Sequence, residues 1–206
     1  MSAPALPRDL ATLLPDLRSR DGLGPAEGPR VVLVVDGMTG SGKSTLAASL
    51  TTELARRGWR TGVLAVEDLV PGWDGLAQGV DLAAQALREL AASGRARARS
   101  WDWEAMAPGP VREVVLPAAS ALVLEGCGAL AAAAQDLPGL TVIRVLLQAP
   151  AHLRHARVAA RDPYSWDVAA WEAQERQVAR VWQADRLRWG PAVVLTGPTG
   201  SAARRE

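Results

Sequence analysis

One nonapeptide sets the terms for the whole chain: Gly37-Met38-Thr39-Gly40-Ser41-Gly42-Lys43-Ser44-Thr45. It satisfies G-x-x-x-x-G-K-[ST], the phosphate-loop pattern, in which glycines let the main chain curl and present successive N–H groups to phosphate oxygens. Lys43 is the one lysine in the chain, against 22 arginines. A compact ammonium fits where a loop wraps closely around phosphates, and a wide planar guanidinium does not. The flanks agree with the motif. Val31-Val32-Leu33-Val34-Val35 is an apolar run of strand length, and Leu46-Ala47-Ala48-Ser49-Leu50 continues as helix.

With 206 residues the chain is long enough to bury a core as one domain. The formal net charge of +1 gives no bulk attraction to nucleic acid. No stretch approaches the roughly 18 apolar residues of a membrane span, and the first residues show no basic-then-apolar leader. A lone cysteine, Cys127, excludes an internal disulfide. These features lead to the expectation of a soluble cytoplasmic protein that binds neither nucleic acid nor membrane.

Residues 1–29 read as a Pro- and Gly-punctuated lead-in. There Leu6, Leu10, Leu13, Leu14 and Leu17 have the spacing of a short amphipathic helix. From residue 30 to 197, strand and helix patterns alternate. Strands are expected at Val31–Val35, Gly62–Val66, Ala121–Leu124, Thr141–Leu147 and Ala192–Leu195. Helices are expected near Lys43–Arg57, Leu76–Ala92, Pro150–Arg161 and Trp166–Trp189, with an Arg- and Trp-rich loop at Arg95–Gly109. Short apolar strands separated by helices imply an α/β domain, a five-stranded parallel sheet with helices on both faces. With the phosphate loop, that is a P-loop NTPase fold. Residues 198–206 read as a frayed tail.

In the loop, Gly37, Thr39, Gly40, Ser41, Gly42, Lys43, Ser44 and Thr45 would cradle a triphosphate at the N-terminus of the first helix. Lys43 would reach the β- and γ-phosphates, and Ser44 would offer its hydroxyl to Mg²⁺. Carboxylates close the neighbouring strands, Glu67 and Asp68 after the second and Glu125 after the third. In a parallel sheet these ends face the ligand. Acids there hold Mg²⁺ or orient an attacking hydroxyl, or else cap helices and face solvent. Asp36 ends the first strand, where it either serves the site or hydrogen-bonds loop amides.

In chain order, Val35-Asp36-Gly37, Gly42-Lys43-Ser44-Thr45, Val66-Glu67-Asp68-Leu69, Trp101-Asp102-Trp103, Leu124-Glu125-Gly126 and Arg154…Arg157…Arg161-Asp162 form a series that resembles the uridine kinase and nicotinamide riboside kinase branch of P-loop nucleoside kinases. The resemblance spans about Val31 to Gly197. It implies a fold with a lid, Mg²⁺ and ATP as cofactors, and a nucleoside or similar small molecule as acceptor. It places the catalytic acid on Glu67, with Asp68 its neighbour, where the family carries aspartate; Val70 replaces the usual aromatic. It gives Trp101, Asp102 and Trp103 to the nucleoside, though Met106 stands where uridine kinases have a histidine. It gives Asp81 to ribose hydroxyls. Arg154, Arg157 and Arg161, at helical spacing, match the start of the lid, and Arg161 would close over the transferring group. After Asp162 the lid is short: Pro163-Tyr164-Ser165-Trp166 leads straight into helix.

The aromatic residues divide. Trp73, Trp101 and Trp103 flank strand ends, where indole faces stack on planar rings at roughly 1–3 kcal/mol per base in other systems, or anchor loops. Trp171, Trp182 and Trp189 fit the core stripe of the last helix. Cys127 reads as a small buried side chain. His152 and His155 lack a third convergent ligand for a metal. The expected activity is phosphoryl transfer from ATP to a hydroxyl, with Lys43, Glu67 or Asp68, and Arg161 at the chemistry, Glu125 at metal or substrate, and Trp73 at the acceptor. Alternatives are a nucleoside monophosphate or other small-metabolite kinase, gripping its acceptor through Arg95, Arg97 and Arg99, and an ATP-binding module without transfer. No Asn-Lys-x-Asp segment of the guanine-reading kind is present, which favours ATP over GTP.

Overall fold

The computed structural model describes residues 28–190 and 192–196. The expected N-terminal helix and frayed tail lie outside the described residues. Five strands form a parallel sheet in the order β2-β5-β1-β6-β7: β1 (Arg30–Asp36), β2 (Arg60–Ala65), β5 (Ser120–Glu125), β6 (Leu140–Gln148) and β7 (Val193–Thr196). β1 lies at the centre, and Val31 to Val35 are fully buried because both faces of the sheet are covered. Its register sets Val35 beside Glu125 on one side and Val145 on the other. The strand therefore delivers the phosphate loop and Glu125 to the same edge.

The alternation of side chains along β1 feeds two cores. Val31, Leu33 and Val35 pack with Ala47, Leu50 and Leu54 of α1 (Lys43–Arg56) and with Trp59. Val32 and Val34 face α2 (Leu76–Ser93), α3 (Ala129–Ala132) and the buried stripe of α5 (Val168–Ala184), including Trp171 and Val178. α4 (Ala151–Arg161) follows β6. Six residues, 162–167, connect α4 to α5, in keeping with a short lid.

Two expectations are corrected. Arg95–Gly109 is not a loop: β3 (Arg95–Asp102) and β4 (Ala107–Val115) form an antiparallel hairpin. The reason is a period-2 pattern, with Ala96, Ala98 and Ser100 buried and Arg95, Arg97 and Arg99 exposed. Pro108 and Pro110 disguise the second strand, as proline is tolerated where no ladder partner lies beyond. The span Trp166–Trp189 is not one helix. α5 ends at Ala184 and a short α6 (Arg186–Trp189) follows, where Trp189 carries the Arg188 guanidinium 4.4 Å above its ring instead of entering the core. The turn Glu67–Leu69 is a single 3₁₀ turn beyond β2, which ends at Ala65.

Candidate active site

The phosphate loop leaves β1 through Asp36. Its buried carboxylate accepts the Gly37 N–H (2.6 Å), the Gly128 N–H (3.2 Å) and the Leu130 N–H (2.8 Å). Burial pushes this carboxyl above its usual range against those donors. Asp36 thus ties the loop to the turn after β5 through loop amides. Gly40 adopts φ +74°, and a Cβ there would strike the Arg154 carbonyl. Only glycine lets α4 close on the loop this tightly.

Lys43 begins α1 and is buried, 6% exposed. Its Nζ lies 3.2 Å from Cys127 Sγ, 3.4 Å from the Met38 carbonyl and 3.9 Å from Glu67 Oε1. Burial works against the ammonium, but its hydrogen bond to the Cys127 sulfur and the charges of the Glu67 and Glu175 carboxylates outweigh it, so Lys43 stays charged. Burial also pushes Cys127 well up, keeping it a thiol. Glu67 is held by the Cys127 N–H (3.2 Å), and Trp103 Nε1 donates to the Glu67 carbonyl (3.0 Å). Gly126, at φ +140°, makes room: a Cβ there would collide with the Glu67 carboxylate.

A cavity of about 640 Å³ opens in front of these groups, and its walls include Thr39, Gly40, Gly42, Lys43, Ser44 and Thr45 of the loop. Gly37 faces a groove behind the loop with Met38, and Ser41 is buried with its hydroxyl unpartnered; neither lines the cavity. Glu67, Asp68 and Glu125 line the acidic side. Burial raises Glu125, and the charges of Glu67 and Asp68 add to the rise, while Lys43 and a hydrogen bond with Ser44 oppose it. Glu125 Oε2 is buried without a partner.

The donor set fits Mg²⁺. The Ser44 hydroxyl meets a carboxylate that has one oxygen free, with Glu67 beside it. Among the described residues no group of three or more His, Cys, Asp or Glu side chains converges on a metal position. Mg²⁺ needs none, since it takes one or two protein oxygens and fills its shell with phosphates and water.

The far wall is aromatic. Trp73 lies 5.0 Å (ring centroids) from Trp103, 5.2 Å from Trp166 in a stacked pair, 6.0 Å from Trp171 and 6.4 Å from Tyr164. All five line the cavity. Of the expected Trp101-Asp102-Trp103 segment, only Trp103 does so. Trp101 packs beneath Gly72, and the Asp102 carboxylate accepts the Glu104 and Ala105 N–H groups of the hairpin turn. Asp81 is exposed on α2, away from the cavity. The periodicity of α5 identified Trp171 only as core, and Trp166 and Tyr164 carried no signal because the 162–167 connection has no period to read.

The three arginines of α4 separate. Arg154 is buried against Glu172 (2.5 Å) and donates to the Thr39 carbonyl (3.1 Å). Arg157 donates to the Gly40 and Ser41 carbonyls. Both brace the loop, and Arg157 also lines the cavity. Arg161 lines the cavity while paired with Asp162 through two contacts of 2.6 and 2.9 Å. Sequence reasoning missed Glu175 altogether. From α5 it accepts the Thr39 N–H (2.8 Å) behind the loop.

Known proteins place this architecture. The family profile "Methylmalonyl Co-A mutase-associated GTPase MeaB" matches residues 17–92, less than half of the chain. A solved structure described as a possible uridine kinase from Bacillus stearothermophilus shares 20% identity and a TM-score of 0.50, over 91% of this chain and 98% of that one.

The chain has the P-loop NTPase fold.

Two further structures match: a candidate fructose transport system kinase from Silicibacter (22% identity, TM-score 0.46, 88% of this chain and 95% of that one) and shikimate kinase from Acinetobacter baumannii (15%, 0.41, 85% and 86%). None of the curated proteins searched matches the chain. No helix among the described residues is long and apolar enough to cross a membrane.

Proposed function

We propose that this chain transfers the terminal phosphoryl group of ATP to the hydroxyl of a nucleoside or similar small molecule. The observation that carries this reading is the single cavity running from the Lys43 cradle, past Glu67, to the aromatic wall around Trp73. A nucleotide hydrolase needs room for a water; this cavity adds a wall suited to an organic acceptor.

The loop amides and Lys43 would hold the triphosphate, positioning the γ-phosphorus toward Glu67. Ser44 and Glu125 would hold Mg²⁺, which would supply positive charge against the phosphates. Glu67, at the base of the aromatic wall, would accept or orient the acceptor's hydroxyl proton. Asp68 is the weaker candidate, since its half-exposed carboxylate leans toward Arg112 of the hairpin at 3.8 Å. Arg161, released from Asp162, would offset charge on the transferring group. Trp73, Trp103, Tyr164 and Trp166 would take the acceptor's ring or apolar body.

The MeaB match raises a second reading, a GTPase. It finds no guanine-reading Asn-Lys-x-Asp element here, since the chain contains no asparagine and its one lysine is in the loop. The monophosphate-kinase alternative has less support: Arg95 pairs with Glu113, Arg99 donates to the Gly109 carbonyl, and none of Arg95, Arg97 and Arg99 lines the cavity. A coupled ADP-release screen across nucleosides, nucleoside monophosphates and small alcohols tests the reading. Acceptor-dependent release supports it; release that ignores every acceptor contradicts it.

A further inference from the structure

One oxygen in the interior collects three donors. Glu175 Oε1 accepts the Thr39 N–H (2.8 Å), the Cys127 S–H (2.7 Å) and the Trp171 Nε1–H (2.9 Å). Each donor belongs to a different part of the site. Thr39 is in the phosphate loop, Cys127 touches the Lys43 ammonium at 3.2 Å, and Trp171 packs edge-on against Trp73, Trp103 and Trp166. Glu175 itself faces the groove behind the loop and not the cavity, so it acts only through these neighbours.

The backbone of Thr39 is held on both sides of its Cα. Its N–H meets Glu175, and its carbonyl meets Arg154, which is paired with Glu172, one turn before Glu175 on the same helix. α5 therefore grips one residue of the loop on both of its flanking peptides, directly and through α4. Glu175 is 4% exposed, and its Oε2 has no partner. A helix that only needed to pack would be served at least as well by an apolar side chain, because a buried carboxylate carries a desolvation penalty.

We propose that Glu175 is a positioning residue that couples the aromatic acceptor wall to the phosphate loop, setting the Thr39 N–H and the Lys43 ammonium through one carboxylate. Movement of Trp171 on contact with an acceptor is passed to Thr39 and, by way of Cys127, to Lys43. By linkage, nucleotide in the loop is felt at Trp171. The inference rests on the reading of the loop as a nucleotide site.

The test uses the full chain, Mg²⁺ and a non-hydrolysable ATP analogue, with calorimetric affinity and tryptophan fluorescence as readouts. Glu175→Gln keeps the shape and removes the charge. If Glu175 positions the loop, analogue affinity falls about tenfold, consistent with charge-assisted bonds being roughly twice as strong as neutral ones. If Glu175 were merely a background anion, its removal would raise affinity for a polyanionic ligand, so an unchanged or tighter constant overturns the proposal. Trp171→Phe keeps an aromatic ring, deletes one donor and reports separately should the first variant not fold. It is expected to lose most of the fluorescence response to the analogue and to bind it two- to threefold more weakly; a full response and wild-type affinity in this variant overturn the coupling. Wild-type protein that binds no analogue overturns the nucleotide reading and this inference together, whereas wild-type binding with unaffected variants overturns this inference alone.

Discussion

Glu67 Oε1 and Lys43 Nζ stand 3.9 Å apart at the mouth of the phosphate loop. The contact brings a carboxylate suited to an acceptor hydroxyl beside the ammonium suited to the donor's phosphates. Transfer needs both within one donor–acceptor span, and the proposed chemistry follows from that pairing.

Lys43→Met removes the only ammonium in the loop and leaves Glu67 and Cys127 without their cation. Turnover is expected to fall by about 10²–10³, the usual cost of deleting one preorganised donor to developing charge. Lys43→Arg is expected to rescue little, because Cys127, Met38 and Glu67 already crowd the position. Steady-state ADP release measures both.

Glu67→Gln and Asp68→Asn separate the two candidate acids. Glu67→Gln should lower kcat by about 10²–10⁴, the range for loss of a general base. Asp68→Asn should cost less than about tenfold, since this carboxylate is half exposed and leans toward Arg112. Equal effects, or a larger effect at Asp68, would reassign the base.

The sheet was legible because its strands are short apolar runs between helix signals, and the loop because its motif is specific. The hairpin was not, because Arg95 to Ser100 alternates with nothing larger than alanine on its inner side, and two prolines interrupt the return strand. The site was legible where it follows strand ends: Lys43, Ser44, Glu67, Glu125 and Trp103 all reach the cavity. Glu175 was not, because a glutamate on an amphipathic helix looks solvated until the fold puts it under Thr39, 136 residues away in sequence. Asp81 and Trp101 missed the cavity because the hairpin and α2 turn them elsewhere.

Glu125 gives the activity a pH signature. Burial, then the neighbouring Glu67 charge, raises its carboxyl above the ordinary 4.5. It must be ionised to hold a cation, so Mg²⁺-dependent turnover should fall with acid at a pH above the usual carboxylate range, and rising Mg²⁺ should move that limb downward. For stability the sign reverses: a group with a raised folded pKa stabilises the fold at low pH, and that contribution is lost as pH rises through the folded pKa. Glu125→Gln should therefore weaken the response to Mg²⁺ and leave the metal-free protein at least as stable near neutral pH. Profiles of kcat/KM against pH at two Mg²⁺ concentrations, with thermal melts, check both parts.

Trp73 contacts four other rings and is partly exposed, at 37%. Trp73→Ala opens the acceptor wall without touching the loop. The acceptor KM should rise about tenfold or more, in line with roughly 1–3 kcal/mol for loss of a stacking partner. The KM for Mg·ATP should stay within about twofold. A change confined to Mg·ATP would place the acceptor elsewhere.

The central claim is phosphoryl transfer to an organic hydroxyl, and product detection tests it most directly. Wild-type protein incubated with γ-¹⁸O-labelled Mg·ATP and the acceptor panel should yield, by mass spectrometry, one phosphorylated alcohol carrying the label in equal amount to ADP, with Lys43→Met yielding none. Label appearing only in inorganic phosphate, at a rate no acceptor changes, would contradict the account.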